Sequence, residues 1–370
     1  MTTDTAVKYF DSTMTGAPAL SNVAGTLISV LDACLVTGFG AVTVNSLVIA
    51  DNVATGTVST GHNFAMLGST GPVIRIDGAT PAALNGDWRI QAIPSSTQFT
   101  FTTTGIATGT ISVKRTPAGF SKAFSGTNKA AYRADHVQSN RLYLRVDDTG
   151  TSSARLIGYE TMTDVDTGTG PFPTEAQLSG GGYIYKATGT GRPWKLYSDG
   201  QLVYLLNDVV NNAAWNGGLV FGDLVSYKSP DAFATLLIAT NTSSSTLALY
   251  RLNDTSVSFT YLARDYTQLG ASILSARCSH VRTPNYLGSG GQAYPCLTDN
   301  SAHFWPVEVW DITTRARGLM PGLWNPIHNG DIPHNTLIEN IPQLSGRTIQ
   351  VVNCGSASYK AGFDLAGPWR

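Results

Sequence analysis

The sequence predicts a mainly β protein: a β-sandwich or barrel-like body that carries a small inserted β module and one N-terminal helix. Three observations predict it. Apolar and polar residues alternate with period two through most of residues 46–310. Turn residues, among them many of the 38 glycines, separate these runs at spacings of roughly ten residues. Only one stretch, about residues 20–36, carries its apolar residues at helical spacing. With 370 residues and 42% hydrophobic content the chain is long enough for two or three domains with their own cores. Charged residues amount to 13%, about half the ~25% usual in soluble proteins. That shortage suits a turn-rich β protein or one whose surface is covered in an assembly.

In chain order, the helix is read from Leu20, Val23, Leu27, Val30, Leu31, Cys34 and Leu35. Pro18 precedes it, Ser21 offers a cap and Gly38 a stop. The segment from Leu27 to Ala50 is apolar on average, but Asp32, Gly38, Gly40 and Asn45 interrupt it, so it reads as a helix followed by a strand and not as a membrane span. Met1-Thr-Thr-Asp-Thr has neither the basic start nor the apolar run of a signal peptide. Short strands follow at 46–50, 53–58, 72–77, 87–93, 98–103 and 108–114, and Asn85-Gly86 suits a type I′ hairpin turn. This module ends at a Pro117-Ala-Gly119 junction. Longer strands then alternate at Arg141–Asp147, Tyr183–Lys186, Pro193–Tyr197, Leu202–Leu206, Ala234–Ala239, Leu247–Arg251 and Val257–Tyr261, with Glu160 to Gly182 as a long connecting loop. No repeat of ~40 residues supports a propeller. The expected organisation is an N-terminal segment at 1–45, the β module at 46–116, the sandwich-like body at 117–305, and a Pro/Gly-rich segment at 306–370 that completes the body.

The chemistry-bearing motifs are mostly missing. There is no Gly-x-Ser-x-Gly elbow, phosphate-cradling Gly-x-x-x-x-Gly-Lys loop, His-Glu-x-x-His or Gly-x-Gly-x-x-Gly. Asp147, Asp148, Glu160, Asp164 and Asp166 form the densest acidic zone, read as turn residues in solvated loops. Asp164, Asp166 and Glu175 have calcium-loop spacing, but Gly168 replaces an acid, Thr169 stands where glycine is needed, and Pro171 and Pro173 intrude. Cys278, His280, Cys296 and His303 could be written as a metal set, and Cys278 and Cys296 as a disulfide; free thiols and ordinary histidines are the expectation. Tyr183, Tyr185, Trp194, Tyr197 and Tyr204, with Trp305, Trp310 and Trp324 later, read as core pairs before they read as a sugar platform. A net charge of −1 with scattered basic residues argues against a nucleic-acid partner. The expectation is therefore no enzyme, no catalytic residues, no cofactor and no metal.

Residues 53–113 combine an apolar strand, Gly78-Ala-Thr-Pro-Ala-Ala-Leu-Asn-Gly-Asp-Trp88 and Ser96-Thr-Gln-Phe-Thr-Phe101. This combination resembles a small β module that recurs in tailed-bacteriophage tail and fibre proteins. Further blocks extend the resemblance over most of the chain: Phe124-Ser-Gly-Thr-Asn128, Leu142-Tyr-Leu-Arg-Val-Asp-Asp-Thr-Gly150, Gly158-Tyr-Glu-Thr-Met-Thr-Asp164, Thr167-Gly-Thr-Gly-Pro-Phe-Pro173, Phe221-Gly-Asp-Leu-Val-Ser226, Gly318-Leu-Met-Pro-Gly-Leu-Trp324 and Gly367-Pro-Trp-Arg370. Together they resemble a family of prophage-encoded virion structural proteins. The resemblance implies a tail, baseplate or tail-tip component, assembled in the host cytoplasm and located in the virion. It implies contact with other tail proteins and carries no catalytic residues; the shortage of charges predicts self-association, as a trimer or a ring matching tail symmetry. A receptor-binding tail protein that contacts host surface polysaccharide and a head-decoration protein are the alternatives.

Overall fold

The computed structural model describes residues 4–186, 189–209, 211, 215–243, 259–278, 293–311, 315–328, 332–355 and 360–370. The chain is mainly β, with 47% strand and 6% helix, and its largest sheet curls into a half-barrel. The strand read at Leu247–Arg251 lies outside the described residues, as does the start of the one at Val257–Tyr261.

The first strand, β1 (Lys8–Asp11), pairs with Trp194–Ser198 at an edge of the large sheet. The helix is shorter than its apolar spacing predicts: α1 is Thr26–Leu31, followed by a π-turn over Asp32–Thr37. Ser21 is not its cap. Residues 20–22 are instead drawn into the body, where Leu20 bridges to Arg192 and the Asn22 N–H donates to Gly189 O. Gly38 does stop the helix. Its φ is +71° and a Cβ there would meet Arg115 O at 2.2 Å, so only glycine fits.

Eight strands build the module: β2 (Phe39–Val44), β3 (Ser46–Ala50), β4 (Val53–Thr57), β5 (Val73–Asp77), β6 (Gly86–Arg89), β7 (Ala92–Ser95), β8 (Gln98–Thr102) and β9 (Ile111–Arg115). They form two four-stranded antiparallel sheets, ordered β2-β9-β5-β6 and β3-β4-β8-β7. Val44, Ile74, Ile76, Ile111 and Val113 of one sheet share a core with Leu47, Ala54, Phe99 and Phe101 of the other. The module thus begins at Phe39, because β2 completes its first sheet. Asn85-Gly86 is not a hairpin turn. Asn85 has φ −75° and closes a 3₁₀ turn. Its side-chain amide both accepts from Ala79 N–H (2.8 Å) and donates to Ala79 O (2.9 Å). The Pro117-Ala-Gly119 junction is no exposed linker, since Ala118 is buried and Ala118 and Gly119 donate to Cys34 O and Leu35 O at the end of the π-turn.

A six-stranded sheet follows: β10 (Phe120–Gly126), β11 (Lys129–Ala134), β12 (Tyr143–Asp147), β13 (Ser153–Met162), β14 (Gly168–Phe172) and β15 (Gly182–Tyr185). The long loop expected from Glu160 to Gly182 therefore contains a strand. Thr163–Thr167 is a tight turn, and Thr161 and Thr169 pair across it, with their hydroxyls 2.6 Å apart.

The large sheet joins β1 to β16 (Trp194–Ser198), β17 (Leu202–Asn207), β18 (Gly217–Asp223), β19 (Val225–Ser226), β20 (Thr235–Ile238), β21 (Thr260–Leu262), β22 (Ile273–Cys278), β23 (Phe304–Asp311), β24 (Ala316–Pro326), β25 (Thr336–Ile338), β26 (Ile349–Asn353) and β27 (Lys360–Asp364). Its first half is buried on both faces. Leu196, Val203, Leu205, Leu219, Phe221 and Leu237 face α1 and the six-stranded sheet. Their neighbours Tyr197, Leu202, Tyr204, Val220 and Leu236 face the second half of the same sheet, which curls back to supply Val309, Leu323, Val352 and Phe363. Each residue of these strands is thus inside, whichever way it points. Residues 306–370 complete the body in this way. Trp369 and Arg370 dock on it, with the Arg370 Nε 2.6 Å from Asp199 Oδ2.

One buried ion pair locks the helix to the six-stranded sheet. Asp148 and Lys186 are fully buried and bond to each other. The second Asp148 oxygen accepts the N–H groups of Leu27 (2.8 Å) and Ile28 (3.4 Å), so a residue 121 positions away caps α1. Lys186 Nζ also donates to Val23 O (2.9 Å) and Gly150 O (3.0 Å), which satisfies all its donors. Lys186→Met is expected to destabilise the chain by about 3–5 kcal/mol, because it leaves Asp148 buried without its cation. Denaturant unfolding of this variant and of Asp148→Leu/Lys186→Met checks it, and the double variant should recover part of the loss.

Limited proteolysis of the module is expected to cut the exposed 104–110 loop, where Ile106 is 79% exposed, before the buried 117–119 junction. Mass spectrometry of the first fragments decides the order.

Candidate functional site

Most side chains singled out from the sequence serve the fold. Trp194, Tyr197 and Tyr204 are fully buried, and the Tyr197 ring stacks on Phe363 at 4.2 Å. The Arg155 guanidinium covers Tyr183 at 3.8 Å. Of the remaining members, Tyr185, Trp310 and Trp324 are half-buried and Trp305 is exposed, so the five residues at 183–204 do not share one open face.

In the acidic zone the expectation of solvated turns holds only in part. Asp164 is exposed and held below the usual carboxylate range by the Asp166 N–H. Asp166 is half-exposed and lowered by bonds from Lys129 and Arg145. Glu160 makes a two-pronged pair with Arg264, both bonds at 2.6 Å. Asp148 is the clear exception, buried in the pair described above, where burial raises its pKa. Glu175 does not join Asp164 and Asp166 to form a calcium loop. Its carboxylate binds Ser179 and the Gly180 N–H on its own loop.

Two features of the seam between module and body were not anticipated. The first is Arg89. Its guanidinium donates to the carbonyls of Asp4 (2.7 Å), Gly71 (2.9 Å), Val7 (3.1 Å), Ala366 (3.3 Å) and Leu365 (3.5 Å), so one side chain joins the module to both ends of the chain. Glu339 and Thr348 add bonds to Ser69 and Thr70 at 2.5–2.8 Å. The second is a cavity of about 460 Å³ lined by Tyr9, Asp11, Phe64, Arg89, Arg115 and Leu365, among others. Arg115 is buried against the Phe64 ring (5.1 Å), donates to Asn63 O (2.8 Å) and has its pKa lowered to about 10 by burial. A signal for it was present: Arg115 has the inward parity of Ile111 and Val113 on β9.

Cys34, Cys296 and Cys354 are free thiols. The Cys278–Cys296 disulfide is therefore not formed, and the side chain of Cys278, like His280, lies outside the described residues. Burial pushes the Cys34 and Cys354 thiols up, Cys354 to about 12. Cys296 lies in a turn beside Thr298 (3.0 Å). The turn closes through Cys296 N–H to Ser301 O (2.9 Å) and Asn300 N–H to Cys296 O (2.8 Å). It gathers Cys296, Asp299 and His303 so that one donor atom of each lies within 4.8 Å of the others. Of the metal set written from the sequence, the structure thus brings Cys296 and His303 together, and adds Asp299.

No helix of the described residues is long and apolar enough to cross a membrane. Comparison with family models finds no match to this chain, and comparison with curated proteins finds none either.

His334 provides a test of the body's electrostatics. Burial, helped by Lys195 and Lys360, lowers its pKa from 6.5 to about 4, and its Nδ1 accepts from the Asn353 N–H (3.0 Å). Between these two values the unfolded chain binds a proton that the native chain does not, so stability falls as pH drops from 6.5 towards 4. In His334→Asn, which retains an acceptor without the titration, the melting temperature should fall less over this interval.

Proposed function

We propose that the chain is a structural component of a bacteriophage virion, of its tail, baseplate or tail tip, and works through protein–protein contacts, including contacts between copies of itself. The observation that carries the contact role is the bare edge of the module. β3 ends its sheet, and no described strand pairs with its outer side. Its sequence, Ser46-Leu-Val-Ile-Ala50, has no charge or proline, and Val48 is 61% exposed. Soluble proteins usually blunt such an edge, since its free N–H and C=O groups invite another strand. The opposite edge of the sheet is blunted in this way: β7 contains Pro94 and is irregular between Ala92 and Ser95.

The virion assignment rests on the sequence blocks that resemble prophage structural proteins, and the β-rich, charge-poor build agrees with it. Free buried thiols suit folding in a host cytoplasm. Trp194, Tyr197 and Tyr204 are internal, so the receptor-binding alternative draws no sugar-stacking surface from these three residues.

Sedimentation across a concentration series tests the contact role. The chain should associate as concentration rises, and Val48→Lys should shift it towards monomer with unchanged circular dichroism. Equal association by both proteins, or none by either at high concentration, would contradict the role assigned to β3.

A further inference from the structure

We propose that Cys296, Asp299 and His303 form a binding site for a zinc-class divalent cation, one per chain, with a fourth position open to water. The proposal revises the expectation of a metal-free protein and stands apart from the β3 edge. The donors are a thiol, a carboxylate and an imidazole. Zinc accepts all three kinds together, whereas calcium and magnesium take oxygen shells.

The geometry fits. Asp299 Oδ2 and His303 Nε2 are 3.6 Å apart. Two ligands of a tetrahedral zinc at ordinary bond lengths lie roughly 3.4 Å apart. The three donor atoms already cluster within 4.8 Å, so small side-chain rotations close the site.

The surrounding bonds hold Asp299 and His303 by their other atoms, while the Cys296 sulfur lies 3.0 Å from Thr298 Oγ1 and His303 Nε2 lies 3.1 Å from Ser301 Oγ, two contacts that the ion replaces. Asp299 Oδ1 accepts from Ser301 N–H (3.1 Å) and Ser301 Oγ (2.6 Å), which leaves Oδ2 for the ion. His303 Nδ1 lies 2.9 Å from the Gln343 amide. Turned to present Oε1, that amide accepts an Nδ1 proton and leaves Nε2 as the ligand. His328 supports the turn without joining the site, since its Nε2 accepts the His303 N–H (2.8 Å) and its Nδ1 is 2.9 Å from Ala293 O. Asp299 is 45% exposed, which gives the ion a path from solvent. On binding, the Cys296 thiol proton leaves to solvent and sulfur coordinates as thiolate.

The test titrates the full metal-stripped chain with Co²⁺ and then Zn²⁺. One Co²⁺ should bind per chain, with a thiolate-to-cobalt charge-transfer band and the strong visible bands of tetrahedral cobalt, and Zn²⁺ should abolish both. Cys296→Ser should remove the charge-transfer band. His303→Ala should remove the tetrahedral bands, and Gln343→Ala should weaken binding about 10–100-fold. Zn²⁺ should raise the melting temperature of the parent chain and leave that of His303→Ala unchanged. Circular dichroism of each variant establishes that it folds. Absence of the charge-transfer band at stoichiometric Co²⁺, or its persistence in Cys296→Ser, would overturn the proposal.

Discussion

The Asp148–Lys186 pair is the constraint on which the arrangement of the body depends. Two charges sit where water does not reach, and each can remain only if every polar atom finds a partner. Lys186 finds Asp148, Val23 O and Gly150 O. Asp148 finds Lys186 and the first N–H groups of α1. One bonding set therefore fixes the end of β12, the start of α1 and the segment after β15. The helix has six α-helical residues and no side-chain cap of its own. So short a helix is marginal in isolation. Its start is defined by the carboxylate that comes to it from the sheet, and its buried Leu27, Val30 and Leu31 then complete the first core.

The second constraint is the double burial of the large sheet. A sheet with one wet face alternates apolar and polar residues, but β16 to β18 and β20 have a packed layer on each side. This accounts for part of the low charge of the sequence. Several charges that remain are spent inside: Arg317 is fully buried and reaches Asp231 at 2.8 Å, while Arg89 and Arg370 hold the chain ends to the body through backbone carbonyls. Such burial lowers further the number of charged side chains that face the outside.

The module was the most legible part of the sequence. Its central strands β4, β5, β8 and β9 each bury one face, so Ala54, Ile74, Ile76, Phe99, Phe101, Ile111 and Val113 announce themselves by period two. Errors fell where a tertiary partner overrode a local signal. Leu20 has helical spacing with Leu27 but is claimed by a bridge to Arg192. Asn85-Gly86 has hairpin composition, yet the Asn85 side chain is taken by Ala79. Asp148 looks in sequence like its half-buried neighbour Asp147, which pairs with Arg145, and only the fold brings Lys186 to it. The Cys296, Asp299 and His303 cluster was half visible, since the missing ligand is set by the turn at Asn300, where φ is +56°.

The body is packed on both faces of the first half of its large sheet, and the module leaves the outer side of β3 without a described strand. Anchored by the buried pair, α1 should unfold only with the body. Native-state hydrogen exchange of the Leu27 amide, which donates to Asp148, tests this most directly. Leu27 should exchange as slowly as the core amides of β12, with the same dependence on denaturant. Exchange of Leu27 at the rate of the exposed 104–110 loop amides would contradict it.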